Sequence, residues 1–122
     1  MARNRFVKPD TVRLSISDGD WLEVKKRLTA GEYRERLARE YVQGDDQKLR
    51  ADLRQSGIAL IVAYVVDWLL TDDGRVVPFS EDALRAVDID TFREILRAVE
   101  AHDEADEAAR SAEKNAPAGT NS

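Results

Sequence analysis

His102 is the only histidine in the chain, and histidine is the one side chain whose ordinary pKa lies near neutrality. It stands in AHDEADEAAR with no large apolar residue beside it, which predicts a solvated surface group rather than a general base. Asp72-Asp73-Gly74 sets two carboxylates before a glycine. The run lacks the alternating oxygen ligands and the closing glutamate of a calcium loop, so it reads as a turn ending a helix. Asp88 and Asp90 resemble a metal-binding pair, and capping of the next helix explains them equally well. Asp67 is the only charged residue of GIALIVAYVVDWLL. An ionised carboxylate there needs a partner or a place at the rim, so an arginine pair or exposure at the helix end is expected before catalysis. There is no Ser-His-Asp set, no phosphate-cradling glycine loop, no zinc spacing and no cysteine for thiol or disulfide chemistry. The reading is non-enzymatic, with no catalytic residue, no cofactor and no metal.

The element that must position the rest is Gly57 to Leu70. It is too short to span a bilayer, which takes about 20 apolar residues, and predicts a buried central helix. On a helix, Ile58, Ile61, Val62, Val65 and Leu69 share one face, and Ala59, Ala63, Val66 and Leu70 form a second, small-residue stripe. Before it, Val12, Leu14 and Ile16 alternate with polar residues and predict a strand, and Asp18-Gly19-Asp20 predicts a turn into a second strand from Trp21. A three-residue loop, with Ile16 opposite Leu22 and Leu14 opposite Val24, keeps one face apolar; a two-residue loop does not.

Thr29 and Glu32 have capping-box spacing and open a helix predicted over about 30–43, with Tyr33, Leu37, Ala38 and Tyr41 inward and Arg34, Arg36 and Arg39 in water. Lys48 to Gln55 is ambiguous: Asp52 could cap the central helix, and Leu49 and Leu53 could extend it backwards. Gly74 suits a positive φ, Pro78 confines Arg75–Pro78 to an edge, and Ser80 and Asp88 or Asp90 cap two further helices. The last shows Phe92, Ile95, Leu96 and Val99, after which the apolar stripe stops. The fold class is α+β: an N-terminal β-hairpin packed on a small helical bundle with a hydrophobic central helix. The expected layout is an extended arm at 1–10, one domain at 11–100, and an acidic fraying helix with a disordered tail at 101–122. Residues after about Glu104 are expected to be dispensable for folding. Leu14, Ile16, Val24, Ile61, Val65, Leu69, Phe92 and Ile95 form the expected core.

The net charge is −5, which argues against non-specific nucleic-acid binding, and neither a signal peptide nor a membrane span is read. The blocks FVKPDTVRLSISDGDWLEVKKRLTAGE and VAYVVDWLLTDDGRVVPFSEDALRAVD carry a DGDW turn at Asp18–Trp21, a K-K-R-L-T helix entry at Lys25–Thr29, Asp67-Trp68, Val77–Phe79 and an S-E-x-A-L cap at Ser80–Leu84. In these motifs the chain resembles the tail assembly chaperones of long-tailed, siphovirus-like bacteriophages, over roughly residues 6–100. Ile89 stands where relatives often have proline.

The resemblance implies a role without catalysis, in the host cell cytoplasm. Such chaperones hold the apolar, helical tape-measure protein in solution while the tail assembles, and are absent from the finished virion. Many also occur as a frameshifted longer form that recruits the tail-tube protein, and Glu113-Lys114-Asn115 is compatible with a slippery codon run. The competing reading is a small structural tail or connector protein of the particle; a third is an acidic mimic that blocks a host nucleic-acid-binding protein. No membrane partner is implied, and a homo-oligomer is left open. A client helix would dock on the stripe Ala59, Ala63, Val66 and Leu70, or on Trp21 of the outer hairpin face.

Overall fold

A computed structural model describes residues 4–52 and 55–115. The polar arm leads into β1 (Thr11–Ser15), which pairs antiparallel with β2 (Trp21–Lys25). Val12 stands opposite Val24 and Leu14 opposite Leu22, so the inner face is apolar as the alternation requires. The connection is longer than expected. Ile16 to Asp20 form a loop closed by the Ile16 amide on the Asp20 carbonyl (3.0 Å), with Asp18 and Gly19 left-handed at φ 61° and 77°. Ile16 therefore faces no partner on β2. The parity of the register was right and its offset was not.

Thr29 and Glu32 form a complete capping box at the start of α1 (Ala30–Glu40). This helix stops earlier than expected, and Tyr41–Gln43 becomes β3, paired with β4 (Leu49–Ala51). No residue of α1 is fully buried. Tyr33 and Tyr41 are largely exposed, Leu37 is half-buried and Ala38 is exposed, so the expected inward edge is shallow. Leu49 lies in β4 rather than in a backward extension of the next helix, and Leu53 lies outside the described residues.

The largest correction concerns the central stretch. The helix α2 spans only Ser56–Tyr64; the chain turns extended at Val65 and forms β5 (Val65–Leu69), which pairs with the free edge of β2. The sheet order is β1-β2-β5. The misreading has a physical cause. Val65 lies opposite Val24, Asp67 opposite Glu23 and Trp68 opposite Leu22, which leaves Val66 as an extra, bulged residue. The bulge turns Val65 and Trp68 to the same inner face although they are three residues apart, a spacing that reads as helical. β-Branched and aromatic side chains then favour the strand, and pairing satisfies the β2 edge.

A tight hairpin of β6 (Thr71–Asp72) and β7 (Arg75–Val76), turning through left-handed Asp73 and Gly74, precedes α3 (Glu81–Ala86) and α4 (Ile89–Lys114). Ser80 accepts from the Ala83 amide and Asp88 from the Thr91 amide, so capping accounts for Asp88, and Asp90 is exposed. The core joins Leu22 and Val24, Ile61 and Tyr64, Val65 and Trp68, Leu84, Ile95 and Val99, all buried. Of the expected core, Val24, Ile61, Val65 and Ile95 are buried; Leu14, Ile16, Leu69 and Phe92 are half-buried. At Gly57 an added Cβ would meet Leu96 at 3.3 Å and Phe92 at 3.4 Å, so a side chain there would press on the ends of these α4 side chains. No helix among the described residues is long and apolar enough to cross a membrane.

Candidate partner-binding site

The residues singled out for docking do not come together. With α2 ending at Tyr64, no helical stripe runs from Ala59 to Leu70. Ala59 is buried and Ala63 half-buried against the core. Val66 is exposed at the bulge of β5, and Leu70 lies past the strand, half-buried in a groove described below. Trp21 stands on the outer sheet face opposite Leu69 and is half-buried. The Arg13 guanidinium lies 3.8 Å from its ring centroid, and Arg13 also reaches Glu23. Trp21 is thus partly capped by a cation rather than left open. Asp67 lies in β5, exposed, and accepts from the Trp68 amide; among the described residues no arginine pairs with it.

Sequence reasoning missed a second set of residues altogether. Beyond Val99 the inward face of α4 continues, but in polar residues. The His102 Nε2–H donates to the Lys25 carbonyl (2.9 Å), and its ring meets Tyr64 edge-on. The Tyr64 hydroxyl donates to Asp103 (2.6 Å), which also accepts from Arg36 (3.3 Å). Asp106 is buried and accepts from Arg27 (2.8 Å) and Arg110 (3.3 Å), and Arg27 reaches on to Glu113 (3.1 Å).

His102 is therefore a docked group, not a solvated one, and Arg36 pairs with Glu40 and Asp103 instead of facing water. Burial pushes the Tyr64 phenol well above its usual range, and its bond to Asp103 adds to this. Burial pulls the Arg36 guanidinium down, yet Glu40 and Asp103 outweigh it and raise the net value. Glu113 and Asp106 raise Arg27. The set is a clamp between elements. Tyr64, His102 and Asp103 line neither the groove beside the β1–β2 loop nor the recess under the N-terminal arm.

Other surfaces of the described residues offer themselves to partners. The first is apolar and exposed. Tyr33 of α1, Tyr41 of β3 and Leu49 of β4 keep between 42% and 73% of their surface in solvent, and Val42, opposite Arg50, lies on the other face of the small hairpin. Pairing of Tyr41 with Ala51 and of Gln43 with Leu49 puts Tyr41 and Leu49 on one face of the small hairpin. Arg34, Glu35 and Arg50 are exposed in the same elements and supply a charged surround.

The second is a groove of about 430 Å³ between the β1–β2 loop, the end of β5, α3 and the start of α4. Ile16, Trp68, Leu70, Val77 and Val87 make its apolar walls. Five carboxylates, Asp18, Asp20, Asp72, Asp88 and Glu94, stand around them, and no lysine or arginine among the described residues lines it. Glu94 ties its mouth by accepting from the Ser17 amide (3.0 Å) and hydroxyl (2.8 Å). Trp68 is held by its indole N–H on the Val77 carbonyl (2.7 Å) and by an edge contact with Phe79. The Asp67-Trp68 and Val77–Phe79 motifs thus clasp one another. The sequence signal for this groove was the concentration of turn carboxylates in separate segments, which nothing local assigns to one place.

No family model matches the chain, and no curated protein and no solved structure matches it.

Proposed function

We propose that this protein is a tail assembly chaperone of a long-tailed bacteriophage, binding the tape-measure protein reversibly and keeping it in solution in the host cytoplasm. It acts by binding, without catalysis and without a cofactor. The observation that carries the reading is the exposed apolar pair Tyr41 and Leu49 on one face of the small hairpin, with Tyr33 exposed on the preceding helix, on elements that otherwise carry charge. A holdase for apolar helices needs such a surface, and a polar surround keeps it from aggregating when empty. The motif blocks that carry the family resemblance serve the fold: the Asp18–Trp21 turn, the Thr29 capping box, the Trp68–Val77 clasp and the Ser80 cap. They leave the small hairpin to vary with the client. A longer form that recruits the tail-tube protein belongs to the same reading.

Co-expression with the tape-measure protein of the same phage tests it. The client should stay soluble and co-purify with the wild-type chain. A folded Tyr41→Ser/Leu49→Ser variant should lose it, since a few apolar anchors carry most of such an interface. A client that aggregates equally with and without the chain overturns the proposal. So does stoichiometric recovery of the chain from purified virions, which would make it a structural tail or connector subunit.

A further inference from the structure

We propose that the acidic groove holds the N-terminal arm of a second copy of this chain. The groove sets its own terms. Ile16, Trp68 and Leu70 offer an apolar floor, and Asp18, Asp20 and Asp72 with their neighbours surround it in negative charge that no lysine or arginine of the described lining offsets. An occupant must bring an apolar side chain flanked by cations.

The chain carries such a segment in Arg5-Phe6-Val7-Lys8. Phe6 is 87% exposed, the most exposed of the large apolar residues described. Arg5 and Lys8 on either side of it match the carboxylates in sign.

The arm cannot fill its own groove. The Lys26 amide donates to the Asp10 carbonyl (2.9 Å), which fixes the base of the arm beside the start of β1. Val7 and Pro9 line a separate recess of about 230 Å³ with Val66, Arg27 and Thr29. The groove lies beyond the other end of β1, at Ile16 to Asp20. Five residues of strand separate the two ends by roughly 17 Å at about 3.3 Å per residue. Phe6 precedes Val7 by one Cα step of about 3.8 Å, so it falls far short while Val7 is seated. The contact must be made in trans. Exchange of two arms between two grooves would close a two-fold dimer, and one arm passed to each next copy would build a ring or an open chain. One aromatic anchor and a few screened ion pairs make it weak and salt-sensitive.

Light scattering and sedimentation from micromolar to millimolar concentration test the proposal on the full chain. The average mass should rise above 13.7 kDa with concentration at low salt and fall back as salt is added. An Arg5→Glu/Phe6→Ser variant keeps its groove and loses its arm; an Asp20→Lys/Asp72→Lys variant keeps its arm and loses its groove. Each alone should stay monomeric, and their mixture should give a heterodimer, since only one productive contact remains. Should the groove variant fail to fold, a synthetic peptide of residues 3–10 titrated into the arm variant provides the second reading. It should shift the NMR signals of Ile16, Leu70 and Val87. Three results overturn the proposal: a monomer at every concentration, which leaves the groove to a foreign basic segment; association that survives either double change; or a peptide that moves none of those signals.

Discussion

The two halves of α4 turn one continuous face toward the rest of the molecule and are held there by opposite means. From Ile89 to Ala101 the face is Phe92, Ile95, Leu96 and Val99, packed on a core in which Ile95 and Val99 have no exposed surface. From His102 to Lys114 it is His102, Asp103, Asp106, Arg110 and Glu113, held by Lys25, Tyr64, Arg36 and Arg27. The helical spacing is unbroken across the junction; only the chemistry changes. The first half is held by area removed from water, which depends little on salt or on pH. The second is held by directed, partly buried charge, which depends on both. A helix can therefore be docked along its whole length while its apolar stripe covers half of it.

The contrast breaks first at the apolar half. Ile95→Asp would bury an unpaired carboxylate among Val99, Ile61 and their neighbours, a cost of several kcal/mol against a total stability of about 5–15 kcal/mol. No folded protein is expected by circular dichroism at room temperature. A cooperative melt at the wild-type temperature would show that the apolar half is not the anchor of the helix.

The polar half comes next. Removal of everything after Glu104 deletes Asp106, Arg110 and Glu113 and leaves the Arg27 guanidinium, only 30% exposed, without these partners. The loss should exceed about 1 kcal/mol and reach about 3, because a partly buried charge stripped of its bonds keeps its desolvation cost. Asp106→Ala should reproduce most of it, and Glu113→Ala little, since its carboxylate is 56% exposed. Urea melts that superimpose for the truncated and full chains would return the segment to the dispensable tail that the sequence suggests.

How much could be read in advance follows the same division. Alternation gave the hairpin and its inner face, and side-chain chemistry gave the caps at Thr29, Ser80 and Asp88, because each is a local rule acting over a few residues. The apolar half of α4 was legible for the same reason. The helix assigned to Gly57–Leu70 failed where a bulge at Val66 gave a strand the spacing of a helix. The polar half failed because an acid at helical spacing is ordinarily a solvated face. Nothing in AHDEADEAAR tells that Arg27, 79 residues earlier, lies beneath Asp106. Of the docking residues, Trp21 is on the expected outer face, and the stripe dissolved with its helix. The groove was out of reach because its walls come from four separate segments.

A smaller effect tests a single bond of the polar half. Tyr64→Phe keeps the ring, the packing on His102 and the core, and removes only the hydroxyl that donates to Asp103. Asp103 retains Arg36, so the change should cost about 1 kcal/mol, near the ordinary net value of one hydrogen bond. The loss should disappear in an Asp103→Ala background, where the hydroxyl has already lost its acceptor. A loss that persists there would assign the effect to packing and move Tyr64 to the apolar side of the comparison.

The least expected effect concerns acid. Glu32 stands where the polar half of α4 meets the hairpin: its carboxylate pairs with Lys25, whose carbonyl receives the His102 bond, and it closes the Thr29 capping box. The Lys25 ammonium first, and the Thr29 amide next, hold this carboxyl below its usual range against a smaller opposing effect of burial. A carboxyl whose pKa is lower folded than unfolded contributes stability above the unfolded value of about 4.5, and that stability is lost as pH falls through the folded value. Melting temperature should thus stay level from neutral pH to about 5 and drop below about 4.5. Glu32→Gln, which keeps the shape and loses the charge, should lower stability at neutral pH by no more than about 1 kcal/mol and flatten part of the acid slope. Arg27 and Arg36 are raised and stay charged throughout, so they add nothing to that slope. If the Gln variant kept the full acid slope, the slope would belong to other carboxylates, with Glu81 the first to test: burial opposes its ionisation, and Arg85 and Arg39 still hold its pKa below the usual range.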